Sequence, residues 1–123
     1  MNGNNLLVDT NIVIYLLSGD KTVADLLDKK RIYISFITEI ELLTFQKLNA
    51  TEKEVIKKFI SDCIVIGMND EIKANTISII VDNKLKIPDA IIAATSLYLK
   101  TPIVTADEQF KKVSDLEIIY YSI

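Results

Sequence analysis

The stretch Leu6-Leu7-Val8-Asp9-Thr10-Asn11-Ile12-Val13-Ile14 decides the fold. Leu6-Leu7-Val8 is a short continuous apolar run, as expected of a strand buried on both faces. Asp9 ends the run, and a helix is predicted from about Asn11 to Leu17, stopping near Ser18-Gly19. The question the stretch raises is why an apolar segment breaks at an acid. One answer is that Asp9 ends a strand and caps a helix. The other is that it joins carboxylates brought together from distant parts of the chain.

The same alternation runs outward from this segment. Thr22 to Lys29 reads as a second helix, with Val23, Leu26 and Leu27 on one side. Ile32-Tyr33-Ile34 is a second strand, and Ser35 caps a helix predicted to run to about Leu48. Thr51-Glu52-Lys53-Glu54 has the form of a capping box, with Thr51 as cap and Glu54 three residues on. Its helix runs to about Asp62. Cys63-Ile64-Val65-Ile66 is a third strand, ended by Gly67. Asn69 caps a helix through about Val81, and Pro88 opens another that continues to about Leu99. Ile103-Val104 is a very short fourth strand, followed by a helical turn from Glu108 to Lys112. Glu117 to Tyr121 is a fifth strand. Apolar strands separated by helices predict a mostly parallel sheet covered on both faces. Ligands of such sheets bind at the carboxyl ends of the strands, near the point where strand order reverses.

The chain has 123 residues, half of them hydrophobic and a quarter charged, which suits one domain over 1–123 and excludes a disordered chain. Apolar stretches are too short to span a bilayer. No basic segment precedes an apolar one at the start, so no signal peptide is expected. Cys63 stands alone and reads as a small buried apolar residue. These features favour a cytoplasmic protein. The chain has no His, which excludes a Ser-His-Asp or Cys-His relay and any imidazole-based zinc site. Hydrolytic chemistry here falls to carboxylates, which favour hard cations such as Mg²⁺ or Mn²⁺. Net charge is −3, and the basic residues are scattered over Lys29-Lys30-Arg31, Lys57-Lys58, Lys84 with Lys86, and Lys111-Lys112. Global charge gives no support to nucleic-acid binding.

Four acids are candidates for a site. Asp9 follows the first strand and Asp107 the fourth, so both belong to the carboxyl edge, where each can equally be a helix cap. Glu41 falls on one side of its predicted helix with Ile37, Phe45 and Leu48. A Glu in an apolar stripe is expected to be paired, metal-bound or protonated. Glu39 falls opposite and reads as solvated. Asp89 follows Pro88 at the start of the most uniformly apolar helix. Its ordinary reading is an acid in a first turn, worth about 0.3–1 kcal/mol. Several carboxylates held close repel one another and raise each other's pKa. A divalent cation removes that conflict and can bind a phosphate, orient a water and lower that water's pKa.

Four segments carry a family resemblance. They are Leu7-Val8-Asp9-Thr10-Asn11, Ser35-Phe36-Ile37-Thr38-Glu39-Ile40-Glu41-Leu42, Ile87-Pro88-Asp89-Ala90-Ile91-Ile92-Ala93-Ala94-Thr95 and Ile103-Val104-Thr105-Ala106-Asp107-Glu108-Gln109-Phe110. In that order the chain resembles the PIN-domain ribonucleases, and within them the small VapC-like toxins of toxin–antitoxin pairs. The second acid of the family aligns with Glu41 and not Glu39. The resemblance implies a three-layer α/β/α fold with a five-stranded, mostly parallel sheet. It also implies an endonuclease acting on RNA with Mg²⁺ or Mn²⁺, a homodimer, and inhibition by an antitoxin whose tail enters the acidic groove. Such toxins often carry more arginine than the single Arg31 here.

On this reading Asp9 and Asp89 are the principal metal ligands. Asp107 and Glu41 complete the site directly or through water, and Thr105 and Asn11 orient a carboxylate or water. The ordinary reading of Thr105 and Asn11 is turn and cap. Two other functions fit the alternation of elements. A receiver-like phosphoacceptor needs an acid just after the third strand, where this chain has Ile66-Gly67-Met68. A catalytically silent binding module of the same fold keeps the architecture without the chemistry.

Overall fold

The computed structural model describes residues 3–45 and 47–122. The helix expected from Ser35 to about Leu48 runs across Gln46, and the domain expected over 1–123 includes Met1, Asn2 and Ile123. Those four residues lie outside the described ones.

In chain order the elements are β1 (Asn5–Val8), α1 (Thr10–Leu17), α2 (Lys21–Leu27), β2 (Arg31–Ser35), α3 (Phe36–Leu43), α4 (Ala50–Asp62), β3 (Ile64–Ile66), α5 (Asp70–Asn83), α6 (Ile87–Leu99), β4 (Ile103–Thr105), a 3₁₀ turn (Glu108–Lys112) and β5 (Ile118–Tyr120). The five strands form one sheet in the order β3-β2-β1-β4-β5, and every neighbouring pair is parallel. Six helices among the described residues cover its two faces, giving a three-layer α/β/α fold. That order differs from the 2-1-3-4-5 order of flavodoxin-like receivers, which removes the phosphoacceptor reading.

The sequence of β1 explains why both faces are filled. Leu7 points into one core with Ile103, Ile72, Ile79 and residues 90–94 of α6. Leu6 and Val8 point into the other with Ile34, Val104, Ile12, Val13, Val23, Leu42 and Ile56. Side chains alternate along a strand, so where a strand lies between two helical layers successive positions are apolar, as Leu6, Leu7 and Val8 are here. Each fully buried Val, Leu or Ile contributes roughly 1.5–3 kcal/mol relative to exposure. No described helix is long and apolar enough to cross a membrane.

Two local expectations are corrected. α3 ends at Leu43, with Thr44 as its C-cap, so it does not continue to Leu48. The capping box of α4 is Asn49 with Glu52, not Thr51 with Glu54. Asn49 accepts from the Glu52 amide at 2.8 Å, and the Glu52 carboxylate accepts from the Asn49 amide at 3.0 Å. Both frames satisfy the same spacing rule. The one beginning at Asn49 wins because the helix starts at Ala50, which makes Thr51 a helical residue.

Candidate active site

The sheet runs outward from β1 in two directions, to β2 on one side and β4 on the other, so the switch point lies between β1 and β4. Asp9 and Asp107 follow these two strands directly. Asp9 is buried and is the N-cap of α1, its Oδ1 accepting from the Ile12 amide at 3.0 Å. Its Oδ2 accepts from the Thr105 hydroxyl. Asp9 therefore both caps a helix and faces a cleft. Thr105 is fully buried, and its oxygen also accepts from the Asp107 amide at 3.0 Å. One hydroxyl thus ties the ends of the two central strands together. Asp107 caps the 3₁₀ turn, accepting from the Gln109 amide at 2.9 Å.

Asp89 enters from the first turn of α6, directly after Pro88, and the N-cap residue Lys86 makes no side-chain cap. Glu41 enters from α3. Asp9, Glu41, Asp89 and Asp107 all line one cleft of about 260 Å³, together with Thr10, Asn11 and the apolar Ile14, Phe45, Ile92 and Phe110.

The placement of Glu41 differs from the expectation of an acid embedded in an apolar stripe. The buried residues of α3 are Thr38 and Leu42. Glu41 is exposed and Glu39 half-buried, and Phe45 lies past the helix end, half exposed. What fixes Glu41 is the Thr10 hydroxyl, which donates to its Oε1 at 2.5 Å. Thr10 also lies 3.2 Å from the buried Thr38 hydroxyl. Thr10 and Thr38 were thus missed as positioning groups. The signal for Thr10 was its place inside Asp9-Thr10-Asn11, and for Thr38 its place three residues before Glu41. Asn11 lines the cleft and is exposed, and makes no hydrogen bond to any of the four carboxylates among the described residues. Orientation of the acids falls instead to Thr105 and Thr10.

The electrostatics are those of an acid-lined pocket. Burial raises the pKa of Asp9, and the charges of Asp107 and Asp89 raise it further, against the lowering by its two hydrogen bonds. Burial likewise raises Asp89, with Asp107 and Glu41 adding to the shift and Lys86 opposing it. Among the described residues no Lys or Arg lines the cleft. Among the described residues no three acidic side chains are drawn close enough to hold an ion as they stand. Mg²⁺ keeps several of its waters and is bound through one or two carboxylates, so an open cleft of oxygen donors fits it. The all-oxygen donor set suits hard cations rather than zinc or copper.

A model of the PIN domain family matches residues 6–116. No match was found among the curated proteins. The chain is similar to a solved toxin–antitoxin complex from Klebsiella pneumoniae, with 26% identity and a TM-score of 0.83 over 96% of this chain and 99% of that one. It is similar to VapBC-1 from nontypeable Haemophilus influenzae, with 25% identity and a TM-score of 0.79 over 94% and 97% of the two chains. It also shares the fold of VapBC2 from Rickettsia felis, solved bound to a DNA fragment from its promoter, with 19% identity and a TM-score of 0.81 over 96% and 99%. The family match spans four of the five strands and all four acid-bearing segments, and the chain belongs to the PIN domain family.

Proposed function

We propose that this PIN domain is a divalent-metal-dependent endoribonuclease and the toxin of a toxin–antitoxin pair, cytoplasmic and homodimeric, held inactive by a cognate antitoxin. The observation that carries the reading is one cleft lined by Asp9, Glu41, Asp89 and Asp107, from four separate segments, with no cationic side chain among the described residues that line it. The structural likeness to toxin–antitoxin complexes supports the toxin assignment.

Asp9 and Asp89 would be the principal holders of Mg²⁺ or Mn²⁺, with Asp107 and Glu41 completing the site directly or through water. A bound ion would neutralise phosphate charge and lower the pKa of an attacking water. Thr105 fixes the Asp9 carboxylate by donating to it, and Thr10 does the same for Glu41. Ile14, Ile92 and Phe110 supply the apolar part of the cleft lining. The expected products of hydrolysis are two RNA fragments, with one water consumed per bond broken.

Purified protein incubated with RNA and Mg²⁺ or Mn²⁺ is expected to cleave it, and a chelator is expected to stop cleavage. Asp9→Asn keeps an N-cap and is expected to fold while losing cleavage by at least roughly a hundredfold. Undiminished metal-dependent cleavage by that variant would refute the assignment.

A further inference from the structure

The wall of Asp107 has a second side. A groove of about 450 Å³ lies there, lined by Asn11, Tyr15, Asp107, Glu108, Gln109 and Tyr120, and it shares Asn11 and Asp107 with the acidic cleft. Tyr120 is 37% exposed and stands in register with Thr105 on the neighbouring strand. Its ring is thus one strand away from the hydroxyl that holds Asp9. Tyr15 flanks the groove and packs against Tyr121, ring centroids 5.9 Å apart.

We propose that this groove is a stacking subsite for one unpaired nucleobase adjacent to the scissile phosphate, with Tyr120 as its platform. The inference rests on the nuclease reading above and adds what the substrate must be: single-stranded at that position. Three features carry it. An exposed aromatic face accepts any base by stacking, and only an unstacked base can reach it. The amides of Asn11 and Gln109 offer donors and acceptors to a base edge and make no side-chain hydrogen bond among the described residues. Asp107 and Glu108 disfavour a second phosphate and leave an uncharged base as the suitable occupant.

Lys111 supplies the exchange. Its ammonium lies 4.0 Å from the Tyr120 ring centroid and 3.5 Å from Glu108 Oε1, with both charged side chains exposed. Exposed contacts of these kinds are weak. An arriving base can therefore displace Lys111 from the ring face and take its place.

The test compares wild type, Tyr120→Ala and Tyr120→Phe on a single-stranded oligoribonucleotide and on an abasic dinucleotide, a small diester with neither base nor aromatic ring. Tyr120→Ala is expected to raise KM for the oligonucleotide roughly five- to 150-fold, with kcat little changed. Its turnover of the small diester is expected to match wild type, and Tyr120→Phe is expected to behave as wild type on both. An unchanged KM for RNA in Tyr120→Ala overturns the subsite and leaves the nuclease standing. An equal loss on both substrates also overturns it, because Tyr120 would then be supporting Thr105 across the strand pair. Wild type inert on both substrates with Mg²⁺ and Mn²⁺ overturns the nuclease reading, and the subsite with it.

Discussion

The Thr105 hydroxyl holds two strand ends at once, donating to Asp9 and accepting from the Asp107 amide. Thr105→Val keeps the shape and removes both bonds, leaving a buried carboxylate oxygen and an amide without partners. A loss of about 1–3 kcal/mol of stability is expected by chemical denaturation, whereas Thr105→Ser retains the hydroxyl and most of that stability. The raised acids give a second prediction at this scale. Folded Asp9 and Asp89 bind protons more tightly than in the unfolded chain. Their stabilising contribution is therefore present below pH 3.8 and is lost as pH rises through the raised values. In chelator, the melting temperature of wild type is expected to fall relative to Asp89→Asn as pH rises from 4 to 7. Mn²⁺ is expected to reverse the difference at pH 7, by about 2.7 kcal/mol at a hundred times its Kd. Asp9, Asp89 and Asp107 were legible because each follows a strand end or a proline in the sequence. The place of Glu41 at the cleft was expected from a family resemblance and from a burial argument that its exposure corrects. Its true anchor, Thr10, comes from another helix, and no periodicity within α3 reveals that.

At the scale of elements, helix boundaries were the weak point, and the reason is local degeneracy. Asn49-Ala50-Thr51-Glu52-Lys53-Glu54 contains two overlapping capping frames, and the structure uses the one that begins at Asn49. Asn49→Ala is expected to cost about 0.5–2 kcal/mol in urea unfolding, and Thr51→Ala, at a helical position, to be neutral or slightly stabilising. The opposite order would return the cap to Thr51. One helix end was obscure for a different reason: α5 runs past the expected Val81 to Asn83 and closes on Lys84 in the left-handed conformation, where glycine is the usual marker, whereas α6 ends at the expected Leu99. Strands were easier to read, because burial on both faces leaves unbroken apolar runs such as Leu6-Leu7-Val8 and Ile103-Val104.

For the whole molecule, strand order was the quantity that sequence did not contain. Each run announces a strand, but which strands become neighbours depends on the direction of each crossover. The reversal between β1 and β4 is what sets Asp9 beside Asp107. The last strand is tied back across the molecule as well. The Tyr121 hydroxyl donates to Asp20 Oδ2 at 2.6 Å, joining the segment after β5 to the cap of α2. That bond lowers the pKa of Asp20 and raises that of Tyr121. The Asp20 contribution is present above pH 3.8 and lost as pH falls through its lowered value. The Tyr121 contribution is present below pH 10.0 and lost as pH rises through its raised value. Tyr121→Phe is expected to move the acid unfolding midpoint to higher pH, and an unmoved midpoint would show that the tie contributes nothing.

The position of β1 between two parallel partners also has a kinetic side. Amides of a central strand exchange with solvent only when the molecule opens as a whole, while outer strands and short helices fray on their own. Leu7 and Val8 should therefore be among the slowest-exchanging amides, and β5 and α3 among the faster. Asp9 rides on the slow part and Glu41 on the fast part. Partial opening would disperse Glu41 first and leave the buried acid in place, so the pocket can come apart and re-form around a fixed half.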